Sequence, residues 1–299
     1  MAKRDPSAGA AGRELRRSLQ VIYEAVSDER VETPDDPRVA EYRVLSEPER
    51  LRGRGLFVAE GRLVVQRLLE SGRFKVRSLL LNAAARAALA PQLSGLAPEI
   101  PVYVCPVQQF AAITGFNIHR GCLALVERPP ALPFGAVVDG ARLLVALEDV
   151  ANADNMGGVF RNAAAFGADA VLLSPSCCDP LYRKAVRTSM AAALMVPFAR
   201  VEEWPEGLER LRALDFSIVA LTPGEPSMSL DEFARLGRPE KLALVIGAEA
   251  TGLSAAASAL ADARVRIPIR REVDSLNLAV AAGIALSRLS RLTGPSNLA

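Results

Sequence analysis

From residue 141 onward, short uninterrupted apolar runs alternate with helix-period segments, and that alternation restricts the fold more than any other feature. Arg142 to Leu147, Ala170 to Leu173, Phe216 to Leu221, Leu242 to Ile246 and Val265 to Ile267 read as strands. Met156 to Phe166, Pro180 to Met190, Glu206 to Leu214, Ala255 to Ala261 and Leu276 to Leu292 read as helices. Strands that are apolar on both faces and separated by helices predict an α/β protein with a covered parallel sheet. Ligands of such sheets bind beyond the carboxyl ends of the strands, so the segments that follow strands are where chemistry is expected.

The rest of the chain divides around one punctuation mark. Pro129-Pro130-Ala131-Leu132-Pro133 cannot sit inside a helix or a ladder, because three of its residues lack an N–H donor. We read 129–140 as a linker between a smaller α/β unit, 36–128, and the main domain, 141–299. The smaller unit carries a helical pattern from Arg62 to Ser71 and strands at Val76 to Leu81 and Val102 to Val104. Residues 1–35 are polar and rich in mixed charge, which predicts a partly mobile extension with a helix at Arg13 to Val26.

Composition closes off several function classes. With 299 residues, half of them hydrophobic, the chain is long enough for two cored domains. No apolar run approaches the roughly 20 residues needed to span a bilayer. No apolar core follows Met1-Ala2-Lys3-Arg4 in the manner of a secretory leader, so a cytoplasmic protein is expected. Cys105, Cys122, Cys177, Cys178 and the single histidine, His119, lack metal-ligand spacing, and no metal site is expected. A net charge of +2 does not by itself mark a nucleic-acid binder. Two arginine-rich stretches, Arg50 to Arg77 and Arg264 to Arg271, suit phosphate recognition, although solvated faces explain most runs of this kind.

Three strand-end segments stand out. In Asp154-Asn155-Met156-Gly157-Gly158-Val159-Phe160-Arg161, Asn155 is placed to cap a helix, and the glycines permit close approach of a nucleotide or a neighbouring element. In Ile246-Gly247-Ala248-Glu249-Ala250-Thr251-Gly252-Leu253-Ser254, a buried strand aims one carboxylate at the ligand-binding edge, although Glu249 also reads as a solvated loop acid. Ser254 is placed to cap the next helix. In Ile267-Pro268 through Ser275-Leu276-Asn277, Ser275 is placed to cap a long helix whose Ala279, Ala281, Ala282, Gly283 and Ala285 let another backbone come near. Taken singly, each segment is compatible with ordinary capping and packing.

As an ordered set, Asn155-x-Gly157-x-x-x-Arg161, Ile246-Gly247-x-Glu249-x-x-Gly252-Leu253 and Ile267-Pro268 with Ser275-Leu276-Asn277 resemble the motifs of the SpoU branch of the SPOUT methyltransferases, the TrmH-like RNA ribose 2′-O-methyltransferases. The resemblance spans about Leu143 to Leu292. Residues Phe57 to Ala124, with Glu60-Gly61 near the start, are similar to the family's small L30e-like substrate-binding domain.

This resemblance implies a SPOUT-type parallel sheet whose C-terminal segment is threaded into a trefoil knot, a connectivity that sequence physics would not suggest. It implies a homodimer that uses S-adenosylmethionine, without a metal, to methylate an RNA ribose 2′-hydroxyl. The cofactor would lie against Gly247, Ile267 and Leu276, and beside Thr222. Catalytic and orienting positions would be Asn155, Arg161, Glu249, Ser275 and Asn277. Arg161 is implied to activate the hydroxyl; guanidinium groups keep their proton, with a pKa above about 12, so holding a phosphate and stabilising developing negative charge is the alternative. The small domain's likeness to a ribosomal-protein fold favours ribosomal over transfer RNA.

Two departures are visible. Asn152-Ala153 stands where many relatives have Asp-Pro, and Arg271 stands where a glycine is usual. His119-Arg120-Gly121 resembles a segment at the end of the small domain and reads as structural. A non-catalytic RNA-binding protein of the same fold would lose Arg161, Glu249 or Asn277, and all three are present. A phosphate-binding nucleotide enzyme would carry G-x-G-x-x-G or a Walker sequence, and neither occurs.

Overall fold

A computed structural model of the chain describes residues 28–45, 47–115, 118, 121–224, 226–270 and 272–290. The helix expected at Arg13 to Val26 lies outside these residues, as do His119, Arg120 and Arg271. The chain divides into two compact units, Met1–Arg128 and Pro129–Ala299.

In the first unit, β1 (Asp28–Arg30) is followed by a 3-10 helix at Pro37–Val44, α1 (Pro48–Gly53), β2 (Leu56–Glu60) and α2 (Arg62–Ser71). Then come β3 (Val76–Leu81), α3 (Ala83–Ala88), α4 (Ala90–Leu93), β4 (Val102–Val104), α5 (Val107–Thr114) and β5 (Cys122–Glu127). Among the described residues the strands form a sheet of order β1-β4-β3-β5-β2. β1 corrects the expected boundary: it pairs parallel with β4, Val31 behind it is buried, and the extension 1–35 therefore contributes its last residues to the core. The signal was absent because a three-residue strand reading Asp-Glu-Arg has no apolar run.

In the second unit, α6 (Phe134–Val138) precedes β6 (Leu143–Leu147), α7 (Ala153–Ala165), β7 (Ala170–Leu173), α8 (Arg183–Thr188) and β8 (Phe198–Arg200). The chain continues through α9 (Glu206–Arg212), β9 (Ser217–Leu221), β10 (Met228–Ser229) and α10 (Leu230–Arg235). It ends with β11 (Leu242–Ile246), α11 (Ala255–Ala259), β12 (Ala263–Arg266) and α12 (Leu278–Leu289). The linker is shorter than expected, because residues 134–138 are helical and bury Val137 and Val138. The expected strands are present to within two residues at each end; β8, β10 and α10 are too short or too mixed in polarity to announce themselves.

The strands of the second unit pair in parallel in the order β10-β12-β9-β11-β6-β7-β8. Alternation within each strand feeds two separate cores. Leu143, Val145, Leu147, Leu244 and Ile246 face the layer containing α7 and α12, whereas Leu144, Ala146, Ala243 and Val245 face α6, α9 and α11. Both faces are buried, which explains the uninterrupted apolar runs. Phe160 of α7 meets Phe198 edge-on with ring centroids 5.7 Å apart, and fully burying one such side chain stabilises by about 1.5–3 kcal/mol.

The contact between α7 and α12 is unusually close. A Cβ on Gly158 would lie 2.5 Å from that of Ala279, and Asn162 Nδ2 donates to the Ala279 carbonyl at 2.6 Å. A Cβ on Gly157 would lie 2.7 Å from the Ala185 carbonyl oxygen of α8. The glycine pair therefore admits neighbouring helices rather than a nucleotide. No helix among the described residues is long and apolar enough to cross a membrane.

Candidate active site

The second and third segments singled out from the sequence meet at the carboxyl ends of β9, β11 and β12. A cavity of about 420 Å³ opens there. Thr222, Gly247, Glu249, Ile267, Ser275 and Leu276 all line it, over an apolar floor that includes Leu221, Ile246 and Leu278. Among the described residues the only charged side chain lining this cavity is Glu249.

The loop after β11 is shaped by its own backbone. Gly252 N–H donates to the Ala248 carbonyl at 2.9 Å, folding the loop back on itself. A Cβ on Gly247 would lie 2.2 Å from the Gly252 carbonyl, and Gly252 has φ +66°, so both positions require glycine. The base of the loop is anchored by Glu148, a buried carboxylate just past β6 that the sequence reading missed. Glu148 accepts from Ser254 N–H and Ser254 Oγ, both at 2.7 Å, and from Trp204 Nε1 at 2.7 Å. Ser254 in turn caps α11, as expected, through a bond from Ala257 N–H. A lone acid after a strand carries no sequence signal that would reveal three partners drawn from two distant segments.

Two capping assignments are corrected. The cap of α7 is Asn152, whose Oδ1 accepts from Asp154 and Asn155 N–H; Asn155 lies inside the helix and is 5% exposed. The cap of α12 is Asn277 rather than Ser275, through Val280 N–H at 3.2 Å. Asn has a carbonyl oxygen free to cap in either register, so spacing alone did not separate the choices.

These shifts free Asn155 for a different role. Asn277 Nδ2 donates to Asn155 Oδ1 at 2.8 Å and to Glu249 Oε1 at 3.0 Å. A single amide thus closes a bridge between the first, second and third segments while its oxygen holds the helix. Ser275 reaches the cavity without joining this bridge. Arg161 is exposed on α7, outside both cavity and bridge. Six residues past Asn155, it sits about 9 Å further along the helix axis.

The arginine-rich stretches are partly committed elsewhere. Arg50 pairs with Glu47, and Lys75 and Arg77 pair with Glu127. Arg264 donates to the Ser258 carbonyl and Arg266 to that of Ser227. Among the described residues no cluster of His, Cys, Asp and Glu could hold a metal ion.

A family model described as the SpoU rRNA Methylase family matches residues 142–287. A protein of Mycobacterium bovis described as an uncharacterized tRNA/rRNA methyltransferase is 42% identical over 262 residues, covering 86% of this chain and 90% of the relative. An AdoMet-bound rRNA methyltransferase from Sinorhizobium meliloti has a similar fold, with a TM-score of 0.72 at 24% identity over 88% of this chain and 97% of its own. A solved RNA 2′-O ribose methyltransferase is alike to the same degree, with a TM-score of 0.72 at 24% identity over 87% of this chain and 98% of its own.

Proposed function

The chain belongs to the SpoU rRNA methylase family, and from that premise we propose that it transfers a methyl group from S-adenosylmethionine to a ribose 2′-hydroxyl of ribosomal RNA. The observation that carries the proposal is the Asn277 amide, which ties Asn155 and Glu249 together at the edge of the strand-end cavity.

The cavity fits the cofactor in size and in chemistry. Its apolar floor suits an adenosine ring and a thioether chain, and ligand sites of this kind hold about 300–1,000 Å³. With Glu249 as the only charged side chain lining it among the described residues, the site offers no cation for a phosphate and a carboxylate for a sulfonium. When bound, the cofactor supplies an activated methyl group. Thr222, Gly247, Ile267 and Leu276 are the residues we assign to holding it.

The chain's own contribution is orientation and charge. Asn155, Asn277 and Glu249 form a hydrogen-bonded frame whose carboxylate and amide groups fix the ribose, and Ser275 stands beside them as a further hydroxyl contact. Arg161 supplies a guanidinium that holds an RNA phosphate and stabilises negative charge developing on the hydroxyl oxygen. Its position outside the bridge supports a site completed by the partner subunit of a homodimer. In the same reading, the C-terminal segment is knotted and the first unit is an L30e-like RNA-binding domain.

The test is incubation of the purified protein with tritiated S-adenosylmethionine and unmodified total RNA, followed by mass mapping of the labelled nucleotide. Label on a ribose within ribosomal RNA is expected. Label in transfer RNA would transfer the assignment to that substrate, label on a base would overturn the ribose assignment, and cofactor binding without label would favour a non-catalytic RNA-binding protein.

A further inference from the structure

One residue holds both ends of the loop that walls the strand-end cavity. Every residue of 246–253 lines that cavity, so its shape follows the course of this loop. Where the chain leaves β11, Glu148 N–H donates to the Ile246 carbonyl at 2.9 Å. Where it reaches α11, Ser254 N–H donates to Glu148 Oε2 and the Ser254 hydroxyl to Oε1, both at 2.7 Å. Departure and return are thus tied to the backbone and the side chain of a single amino acid, while the bond from Gly252 N–H to the Ala248 carbonyl closes the turn between them.

Glu148 is itself immobilised. Its residue is 4% exposed, and Trp204 Nε1 also donates to Oε1. Trp204 and Leu253 both pack against the core under α6, α9 and α11, so the end of the loop and the residue that steadies its anchor share one apolar support. The backbone just past Glu148 is fixed as well. Asp149 takes a left-handed φ of +57°, uncommon for a residue other than glycine, with its N–H donating to Ser174 Oγ at 2.9 Å and its Oδ1 accepting from that hydroxyl at 3.1 Å. A buried carboxylate is a poor choice for stability alone, because well-packed apolar groups commonly serve as well. Three convergent donors supply geometry instead.

We propose that Glu148 is a positioning residue for the methyl donor: it holds 246–253 in its cofactor-ready course before the cofactor arrives, and so sets cofactor affinity rather than the rate of methyl transfer. The inference rests on the reading of this cavity as the S-adenosylmethionine site. A loop that adopts its competent course only part of the time binds with an affinity reduced by that fraction, and a loop fixed in advance avoids the loss. The tip of the loop is held separately, through the bond from Asn277 to Glu249, so the groups assigned to the ribose do not hang on Glu148.

The test compares Glu148→Gln with wild type in the full chain, by calorimetry with S-adenosylmethionine, by amide hydrogen exchange without RNA, and by steady-state kinetics. The substitution keeps the shape of the side chain but places an NH2 group where at least one N–H donor now finds an oxygen. The Kd for S-adenosylmethionine should rise about tenfold, equivalent to about 1.4 kcal/mol, as the competent loop falls to about a tenth of the population. The KM for the cofactor should rise with it, while kcat at saturating cofactor and the KM for RNA stay within twofold of wild type. Peptides covering 246–254 should exchange faster in the free variant and regain protection when S-adenosylmethionine is saturating. Ser254→Ala, which removes the hydroxyl bond and keeps the carboxylate, carries the test should Glu148→Gln fold poorly, with a Kd raised about fivefold. Asp169→Asn is the control for general loosening: Asp169 Oδ2 accepts from Arg142 and Leu143 N–H at the other end of β6, and its loss should leave cofactor affinity unchanged. Cofactor affinity within twofold of wild type in the folded variant, unchanged exchange at 246–254, or an equal loss of affinity in Asp169→Asn would overturn the proposal. A wild-type protein that binds no S-adenosylmethionine would overturn the reading of the cavity, and faster exchange of the loop in Glu148→Gln would still establish the clamp.

Discussion

Asn277 performs two jobs with opposite ends of one amide, and a pair of substitutions separates them. Its oxygen caps α12 and its nitrogen bridges Asn155 and Glu249. Asn277→Ala removes both functions. Loss of the cap costs about 1 kcal/mol, and leaving the Asn155 oxygen, 95% buried with its residue, without a donor costs about 1–3 kcal/mol. The bond to Glu249 is exposed and adds only about 0.2–1 kcal/mol. Asn277→Ala should therefore destabilise by about 2–5 kcal/mol in total. Asn277→Ser keeps an oxygen at the cap but is too short to reach Asn155, so it should be less destabilising by about 1 kcal/mol. Both should lose methyl transfer equally, because both lose the bridge. Trp204, the only tryptophan, lies in the second unit with its indole bonded to Glu148, so its fluorescence during denaturant unfolding reports on the right region. Equal stability of the two variants would refute the cap; wild-type turnover in Asn277→Ser would refute the bridge as catalytic machinery. Adding Asn155→Ala to Asn277→Ala should cost less than the sum of the single changes, since the buried acceptor disappears with its donor.

Arg161→Ala should abolish turnover and leave cofactor affinity by calorimetry unchanged, and near-normal methylation by this variant would remove Arg161 from the mechanism. Gly158→Ala should destabilise by about 1–3 kcal/mol, because its Cβ would meet that of Ala279 at 2.5 Å and force the two helices apart. Gly135→Ala is the control: nothing lies within 4 Å of its Cβ inside α6, so it should stabilise by about 0.4–1 kcal/mol in the same unfolding assay. Burial holds the Cys105 thiol up at about 11 and the Cys122 and Cys178 thiols at about 12, and it raises that of Cys177 as well. The native protein should therefore resist iodoacetamide at pH 8, and intact mass should show four alkylations only after denaturation. Because these pKa values are higher in the folded state, the stability they confer is complete below the ordinary thiol range near pH 8.5. It declines as pH rises from there toward 12, which denaturant melts across that window would follow.

The sheet of the second unit was legible because burial on both faces leaves an unbroken apolar run, and Leu143, Leu242 and Ala170 each begin one. The cavity-lining set, Thr222, Gly247, Glu249, Ile267, Ser275 and Leu276, was legible through resemblance, and every one of those residues lies in the same cavity. The hydrogen-bond partners were not legible. Asn155 and Asn277 have the composition of helix caps, and only the helix register decides which of Asn152 and Asn155, or Ser275 and Asn277, holds the end. Glu148 was invisible because its partners, Trp204 and Ser254, lie 56 and 106 residues away. β1 was missed because its pairing with β4 depends on backbone alone, its side chains being charged.

Those partners also explain how a site built from loops is held still. The loop after β11 has its base fixed by a buried carboxylate: Glu148 grips Ser254 through two bonds and is itself steadied by Trp204. Its return is fixed by Gly247, where no side chain fits, and by Gly252, whose φ of +66° favours glycine. Its tip is different. Glu249 is exposed and joined to the rest of the site by the Asn277 bond at 3.0 Å. An exposed carboxylate–amide bond contributes little to folding stability, so it is retained for orientation rather than for strength. The buried Asn155 end of the same amide is the stiff one, and it belongs to the helix that also carries Arg161. Displacement of α7 therefore reaches Glu249 through two hydrogen bonds and reaches Arg161 directly. Substitutions at the Gly158–Ala279 contact, which sets the separation of α7 and α12, are on this argument the most direct way to disturb catalysis without touching a cavity residue.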